Sequence, residues 1–166
     1  GLVIDYYDGH LVFQAHSAGM FLQLDLFKEL LTEVVTEVFG LSVKSVYNKS
    51  SQTLPFKVSP DEIDGFVSGG EYKGSQHVII ENNNRFIVDI EGGQKTGMFL
   101  DQRDSRSLLG SCCENKNVLN TFSYTGGFSV YALRGNAKSV CSVECYARSV
   151  ELEKQNVELN FKNNVN

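Results

Sequence analysis

The 166 residues carry a formal net charge of −5 and 42% hydrophobic side chains, which excludes disorder over most of the length and nucleic-acid binding through bulk positive charge alone. A local basic patch on such an acidic chain stays compatible with an RNA substrate. No apolar run reaches membrane-spanning length, and the N-terminus lacks the basic start and apolar core of a signal peptide, so a cytoplasmic location without membrane contact is expected.

In chain order, "GLVIDYYDGHLVFQAHS" predicts two strands around Asp8-Gly9, a dipeptide suited to the positive φ angles of a tight hairpin. "FLQLDLFKELLTEVVTEVFG" predicts an amphipathic helix with Phe27, Leu30, Leu31, Val34 and Val38 facing a sheet, Glu29, Glu33 and Glu37 in solvent, and Gly40 as the C-terminal cap. A strand is predicted over Leu41 to Tyr47, followed by irregular chain around Pro55 and Pro60. "HVIIE" and "RFIVDI" flank the Asn-rich turn of a further hairpin.

After Gly93 the pattern changes. Phe99, Leu100, Arg103, Arg106 and Leu108 have helical spacing; "KNVLNTFS" predicts a buried strand, "GGFSVYALRG" a helix, "KSVCSVEC" a strand and "YARSVELEKQNVELN" a helix. The fold class is therefore α+β and α/β: a small antiparallel α+β domain over residues 1–92, then the start of a parallel, doubly wound domain over residues 93–166. Two parallel strands are too few for an open sheet. The chain is accordingly read as a fragment of a longer protein, or as one that pairs with a partner, a homodimer through the free sheet edge being the simplest case.

The densest chemistry lies at "VLNTFSYTGGFSVYALRGNAKSVCSVE", residues 118–144. A strand runs into a glycine turn that opens a helix, whose N-terminus offers unpaired N–H groups and a partial positive charge of roughly 0.5. Glu144 lies 18 positions after Gly126, close to the spacing of roughly 20 at which such folds set a carboxylate on ribose hydroxyls. Tyr124 and Phe128 flank the turn, which lacks the three-glycine spacing that admits a pyrophosphate. A nucleoside without phosphates, S-adenosyl-L-methionine above all, is the expected ligand. The competing reading of the same residues is a tight strand–helix turn with a solvated Glu144.

"GGQKTGMFLDQRDSR" together with "VLNTFSYTGGFSVYA" resembles the bacterial large-subunit ribosomal RNA methyltransferases that act on cytosine C5, in the run Gln94, Lys95, Thr96, Gly97, Phe99, Leu100, Asp101, Gln102, Arg103 and Arg106. The opening "GLVIDYY" and "SAGM" extend the resemblance over nearly the whole chain. It implies a parent protein with an RNA-binding domain of the PUA type, a central α+β domain and a Rossmann-like methyltransferase domain, of which this chain holds the second part and the first half of the third. It implies S-adenosyl-L-methionine as cofactor and 23S ribosomal RNA as partner. Tyr124, Thr125 and Gly126 would lie against the methionine and ribose portions and Glu144 on the ribose hydroxyls; Gln94, Lys95, Thr96, Gly97, Asp101 and Gln102 would complete the cofactor wall, with Arg103 and Arg106 toward RNA.

Cytosine C5 becomes nucleophilic when a thiolate attacks C6. Cys112, Cys113, Cys141 and Cys145 form no Cys-x-x-Cys pair and lack a basic neighbourhood. They are read as structural free thiols, with Cys141 inside a buried strand. The resemblance puts the nucleophile on a later strand, beyond Asn166, so the fragment is expected to be inactive alone. His10, His16 and His77 are too scattered for a metal site. Two alternatives stay open: a non-catalytic RNA-binding or assembly module that retains part of a cofactor cleft, and a guanine-modifying enzyme of the same fold.

Overall fold

The computed structural model describes residues 1–54, 64–69 and 77–162. The irregular stretch expected at Pro55 and Pro60 lies outside them. The chain forms two compact units: Gly1–Ser75 with Asp89–Met98, and Gln76–Val88 with Phe99–Asn166. The units thus interleave along the sequence, where the sequence reading drew a single division at residue 93.

In the first unit, β1 (Leu2–Tyr7), β2 (His10–Ala15), β3 (Ser45–Lys49) and β4 (Asp64–Gly69) form a sheet in that order. β1 and β2 are antiparallel through the expected turn, with Asp8 at φ 44° and Gly9 at φ 103°. β2 and β3 are parallel, joined through α1 (Ala18–Phe21) and α2 (Leu24–Glu37); β3 and β4 are again antiparallel. Period-two alternation sends Leu11, Phe13 and Val46 to one face, where they bury Val35 of α2 with Leu2, Ile4, Tyr6, Leu24, Leu31 and Val67 around them.

The helix is turned away from the expected orientation. Val35 is its buried residue, whereas Leu30, Val34 and Val38 are 45%, 42% and 70% exposed. Gly40 caps it as expected, at φ 64° with the Leu41 amide donating to the Val35 carbonyl (3.1 Å). The third strand begins at Ser45, later than Leu41.

Asp89–Met98 crosses the other face of this sheet. Lys49 Nζ donates to the Ile90 carbonyl (2.5 Å) and the Gly93 carbonyl (2.6 Å), and Gln14 Nε2 donates to the Lys95 carbonyl (3.0 Å). Thr96, fully buried, donates to Asp5 Oδ2 (2.5 Å) and shares a hydrogen bond of 2.7 Å with the Tyr7 hydroxyl.

In the second unit, β5 (His77–Glu81) and β6 (Asn84–Val88) form an antiparallel hairpin, with Asn82 and Asn83 both at positive φ in its two-residue turn. A short 3₁₀ turn (Leu100–Gln102) leads into α3 (Arg103–Ser111). β7 (Asn117–Thr121), α4 (Gly127–Arg134), β8 (Ser139–Val143) and α5 (Ala147–Phe161) follow, with β7 and β8 parallel as expected. Neither strand is buried on both faces: Leu119 is 65% exposed, and Cys141, expected inside, is exposed. Cys112 and Cys145 are exposed and Cys113 is buried. Among the described residues no helix is long and apolar enough to cross a membrane, and no His, Cys, Asp and Glu group could hold a metal ion.

Candidate cofactor site

At the C-terminal ends of the parallel strands β7 and β8 the chain makes two turns that meet. In the first, Phe122, Tyr124 and Gly126 all take positive φ, at 58°, 51° and 78°. Such geometry is costly for bulky side chains and persists where neighbouring contacts enforce it. Here the Ser123 amide donates to the Val143 carbonyl (3.1 Å) and the Gly126 amide to the Ser123 carbonyl (2.9 Å). Gly126 caps α4, aiming the first amides of that helix at the strand ends.

The second turn brings Glu144 back over the first. Its carboxylate accepts from the backbone amides of Tyr124 (2.8 Å), Cys145 (2.7 Å) and Tyr146 (3.1 Å). These bonds, that from Tyr146 foremost and aided by the Cys145 thiol, outweigh partial desolvation and hold the carboxyl below its ordinary value. The carboxylate is therefore ionised and fixed beside the glycine turn. A thiol is the weakest donor of this set, and a ribose hydroxyl could take its place, so the donor set suits a nucleoside diol.

A depressed pKa means that the folded state releases its proton more readily than the unfolded one. Glu144 therefore adds stability above the ordinary carboxylate value of 4.5, and that contribution disappears as pH falls through the lower folded-state value. Glu144→Gln is expected to cost stability at pH 7 and progressively less below pH 4.5. Urea midpoints measured from pH 3 to 7 check this; a wild-type-to-variant gap that does not change with pH would contradict it.

The segment before α3 reaches the same turn. The rings of Phe99 and Tyr124 meet edge to face, 5.3 Å between centroids, while Asp101, Gln102 and Arg103 beside them are exposed. Arg103 Nε faces Asp104 Oδ1 at 3.4 Å in solvent, a pair of small energetic weight.

Arg106, expected toward RNA, is placed differently. It is 2% exposed, donating from Nε and Nη2 to the two oxygens of Glu81 (3.0 and 2.7 Å) and from Nη1 to the Phe99 carbonyl (2.8 Å). A guanidinium so engaged belongs to the interior of the second unit. Gln94, Lys95, Thr96 and Gly97 lie in the first unit, where Thr96 and the Lys95 backbone are engaged as described above, while the Gln94 and Lys95 side chains are exposed. The structure thus brings together Phe99, Tyr124, Thr125, Gly126 and Glu144. Sequence reasoning passed over Glu153 and Asn156 of α5, which are buried against the same turn. No local signal marks them, since the same helix offers Val150, Leu152, Val157 and Leu159 as apolar residues to bury.

Two parallel strands, a glycine turn opening a helix and a strand-end carboxylate are the arrangement at which Rossmann-like folds bind nucleoside cofactors. The chain belongs to the S-adenosylmethionine-dependent methyltransferase family, whose model matches residues 10–164. The ribosomal RNA large subunit methyltransferase I of Aeromonas salmonicida is 40% identical over 160 residues, which are 96% of this chain and 39% of that protein. The protein of the same name from Vibrio cholerae is 41% identical over 160 residues, 96% of this chain and 38% of that protein. The chain thus spans about two fifths of the length of these relatives.

Among solved structures, a candidate SAM-dependent methyltransferase from Streptococcus mutans superposes with a TM-score of 0.74 at 30% identity, covering 96% of this chain and 39% of that one. A candidate methyltransferase complexed with S-adenosylhomocysteine gives 0.74 at 29% identity, over 96% of this chain and 38% of that one. The M. jannaschii tRNA m1G37 methyltransferase shares the fold, with a TM-score of 0.65 at 19% identity over 95% of this chain and 42% of that one.

Proposed function

We propose that the chain carries the cofactor-binding part of an S-adenosylmethionine-dependent methyltransferase that modifies 23S ribosomal RNA in the cytoplasm, at C5 of a cytosine. In this reading residues 1–92 correspond to the central α+β domain and residues 93–166 to the first half of the Rossmann-like domain. The observation that carries the cofactor reading is Glu144, ionised and held by three backbone amides beside the glycine turn. The names of the relatives support ribosomal RNA as the substrate class.

The cofactor, when bound, supplies an electrophilic methyl group on a sulfonium centre. Glu144 would accept hydrogen bonds from the ribose hydroxyls, its charge fixed in advance so that little reorganisation accompanies binding. Thr125 and Gly126 would present backbone beside the methionine portion, and a side chain at Gly126 would collide with Glu153 of α5 and displace that backbone. The edge-to-face pair of Phe99 and Tyr124 would exclude water from that side. Asp101 and Gln102, exposed on the 3₁₀ turn, are proposed as further polar contacts to the cofactor, and Arg103 as the contact to RNA phosphate.

The test is incubation of the full-length protein with methyl-labelled S-adenosylmethionine and unmodified 23S ribosomal RNA, followed by digestion to nucleosides. Label in 5-methylcytidine is the expected result. Label in a guanosine derivative would overturn the base assignment, and no transfer alongside normal folding would overturn the enzyme reading. Glu144→Ala is expected to weaken S-adenosylhomocysteine binding by roughly tenfold or more, as befits loss of charge-assisted hydrogen bonds, with titration calorimetry as the measurement.

A further inference from the structure

α5 covers its unit with an unusual face. The residues it buries are Ser149, Glu153 and Asn156, all polar, whereas a helix that only closes a core buries an apolar stripe. Buried polar groups are retained where each has a specific partner, and Glu153 and Asn156 each have one in the glycine turn. Glu153 Oε2 accepts from Ser123 Oγ at 2.5 Å. Asn156, fully buried, donates from Nδ2 to the Thr125 carbonyl at 2.8 Å while its Oδ1 accepts from the Ile87 amide of β6 at 2.8 Å. The Glu153 stem fills the space above Gly126, with Cγ 2.5 Å from where a Cβ there would stand.

We propose that Glu153 and Asn156 are positioning residues for the cofactor turn, α5 acting as a template that sets the peptide planes of Ser123–Gly126. This rests on the turn being the S-adenosylmethionine site. Three residues apart, the two side chains share one helix face and grip the turn at Ser123 and Thr125. In a trans peptide the Thr125 carbonyl and the Gly126 amide point opposite ways, so the bond from Asn156 also fixes where that amide points. Through Ile87 the same side chain ties the turn to the β5–β6 hairpin.

One helical turn further on, Asn160 supplies an internal control. It makes the same kind of bridge to β6, accepting from the Arg85 amide (2.8 Å) and donating to the Arg85 carbonyl (2.7 Å) and, along the helix, to the Asn156 carbonyl (2.7 Å), with no contact to the glycine turn among its hydrogen bonds. Asn156→Asp and Asn160→Asp each keep an oxygen for the β6 amide and replace an amide donor by a carboxylate. Only the first sets that carboxylate against the Thr125 carbonyl.

The experiment compares these variants in the full-length protein by hydrogen exchange of the segment 122–128 without ligand, and by calorimetric titration with S-adenosylhomocysteine. Asn156→Asp is expected to speed exchange of that segment and to weaken binding, each by roughly tenfold, the weight of one buried hydrogen bond; Asn160→Asp is expected to leave both within about twofold of wild type. Unchanged exchange in Asn156→Asp, or equal effects of the two variants, would overturn the proposal. Glu153→Met removes the acceptor for Ser123 but keeps the bulk, and is expected to speed exchange in the same segment, which keeps the test decisive if Asn156→Asp does not fold. If the exchange contrast holds while wild type binds no S-adenosylhomocysteine, the clamp stands and the cofactor reading of the turn fails.

Discussion

Replacing Arg106 with methionine is expected to lower the free energy of unfolding by about 3–5 kcal/mol, the range seen when one partner of a buried ion pair is removed. The side chains of Arg106 and Glu81 are 2% and 5% exposed and bond through both nitrogen–oxygen pairs. Without the guanidinium, Glu81 keeps a bond from the Tyr131 hydroxyl (3.0 Å) and loses its counter-charge in a site closed to water. Tyr131 stays protonated and keeps donating that bond, because burial first, and then Glu81 itself, push its phenol above the ordinary value. The double variant Arg106→Met with Glu81→Met is expected to recover most of the loss, since matched apolar pairs commonly replace buried ion pairs without cost. Urea denaturation of the single and double variants provides the measurement. A single-variant loss below about 1 kcal/mol, the value of an exposed pair, would mean that the pair is solvated in solution.

The same ion pair marks the boundary of what the sequence could disclose. Arg106 stands at helical spacing beside Arg103 in a segment rich in polar groups, and both read as RNA contacts. Its partner Glu81 lies 25 positions earlier, at the end of a hairpin strand, and no local pattern links them. Local chemistry, by contrast, was legible. Asp8-Gly9 and Asn82-Asn83 make the expected turns because only residues tolerant of positive φ suit them, and the parallel β7–β8 pair with its glycine turn followed from composition and spacing.

Helix α2 failed for a different reason. Leu26, Phe27, Leu30, Leu31, Val34, Val35 and Val38 spread over about half of the helix circumference, so periodicity fixes the helix but not its rotation. The sheet selects Leu24, Leu31 and Val35, leaving Leu26, Leu30, Val34 and Val38 in solvent. The run Gln94–Gly97 was legible as a dense polar segment, yet the partners of Thr96 are Asp5 and Tyr7 from the opening strand. That long-range pairing, which secures the segment to the first unit, has no signature in the segment itself.

Gly126→Ala is the second large effect, expected at about 2–5 kcal/mol of stability. The estimate adds a left-handed backbone penalty of about 1–2 kcal/mol to about 1–3 kcal/mol for forcing atoms into filled space. Gly126 has φ 78°, and a Cβ there would stand 2.5 Å from Glu153 Cγ and 3.1 Å from Glu153 Cβ. Those atoms belong to the root of the side chain, whose far end is held by Ser123, so rotation alone cannot clear them. The two contributions separate in a Glu153→Ala background. There Gly126→Ala is expected to cost only the backbone share, about 1–2 kcal/mol, and the coupling between the sites, measured by a double-mutant cycle on urea denaturation, is expected at about 1–3 kcal/mol. Zero coupling would show that α5 does not press on the turn, and would weaken its role as template together with the steric argument. Positive coupling accompanied by loss of S-adenosylhomocysteine binding in Gly126→Ala would connect the stability of the turn to its function through a single pair of residues.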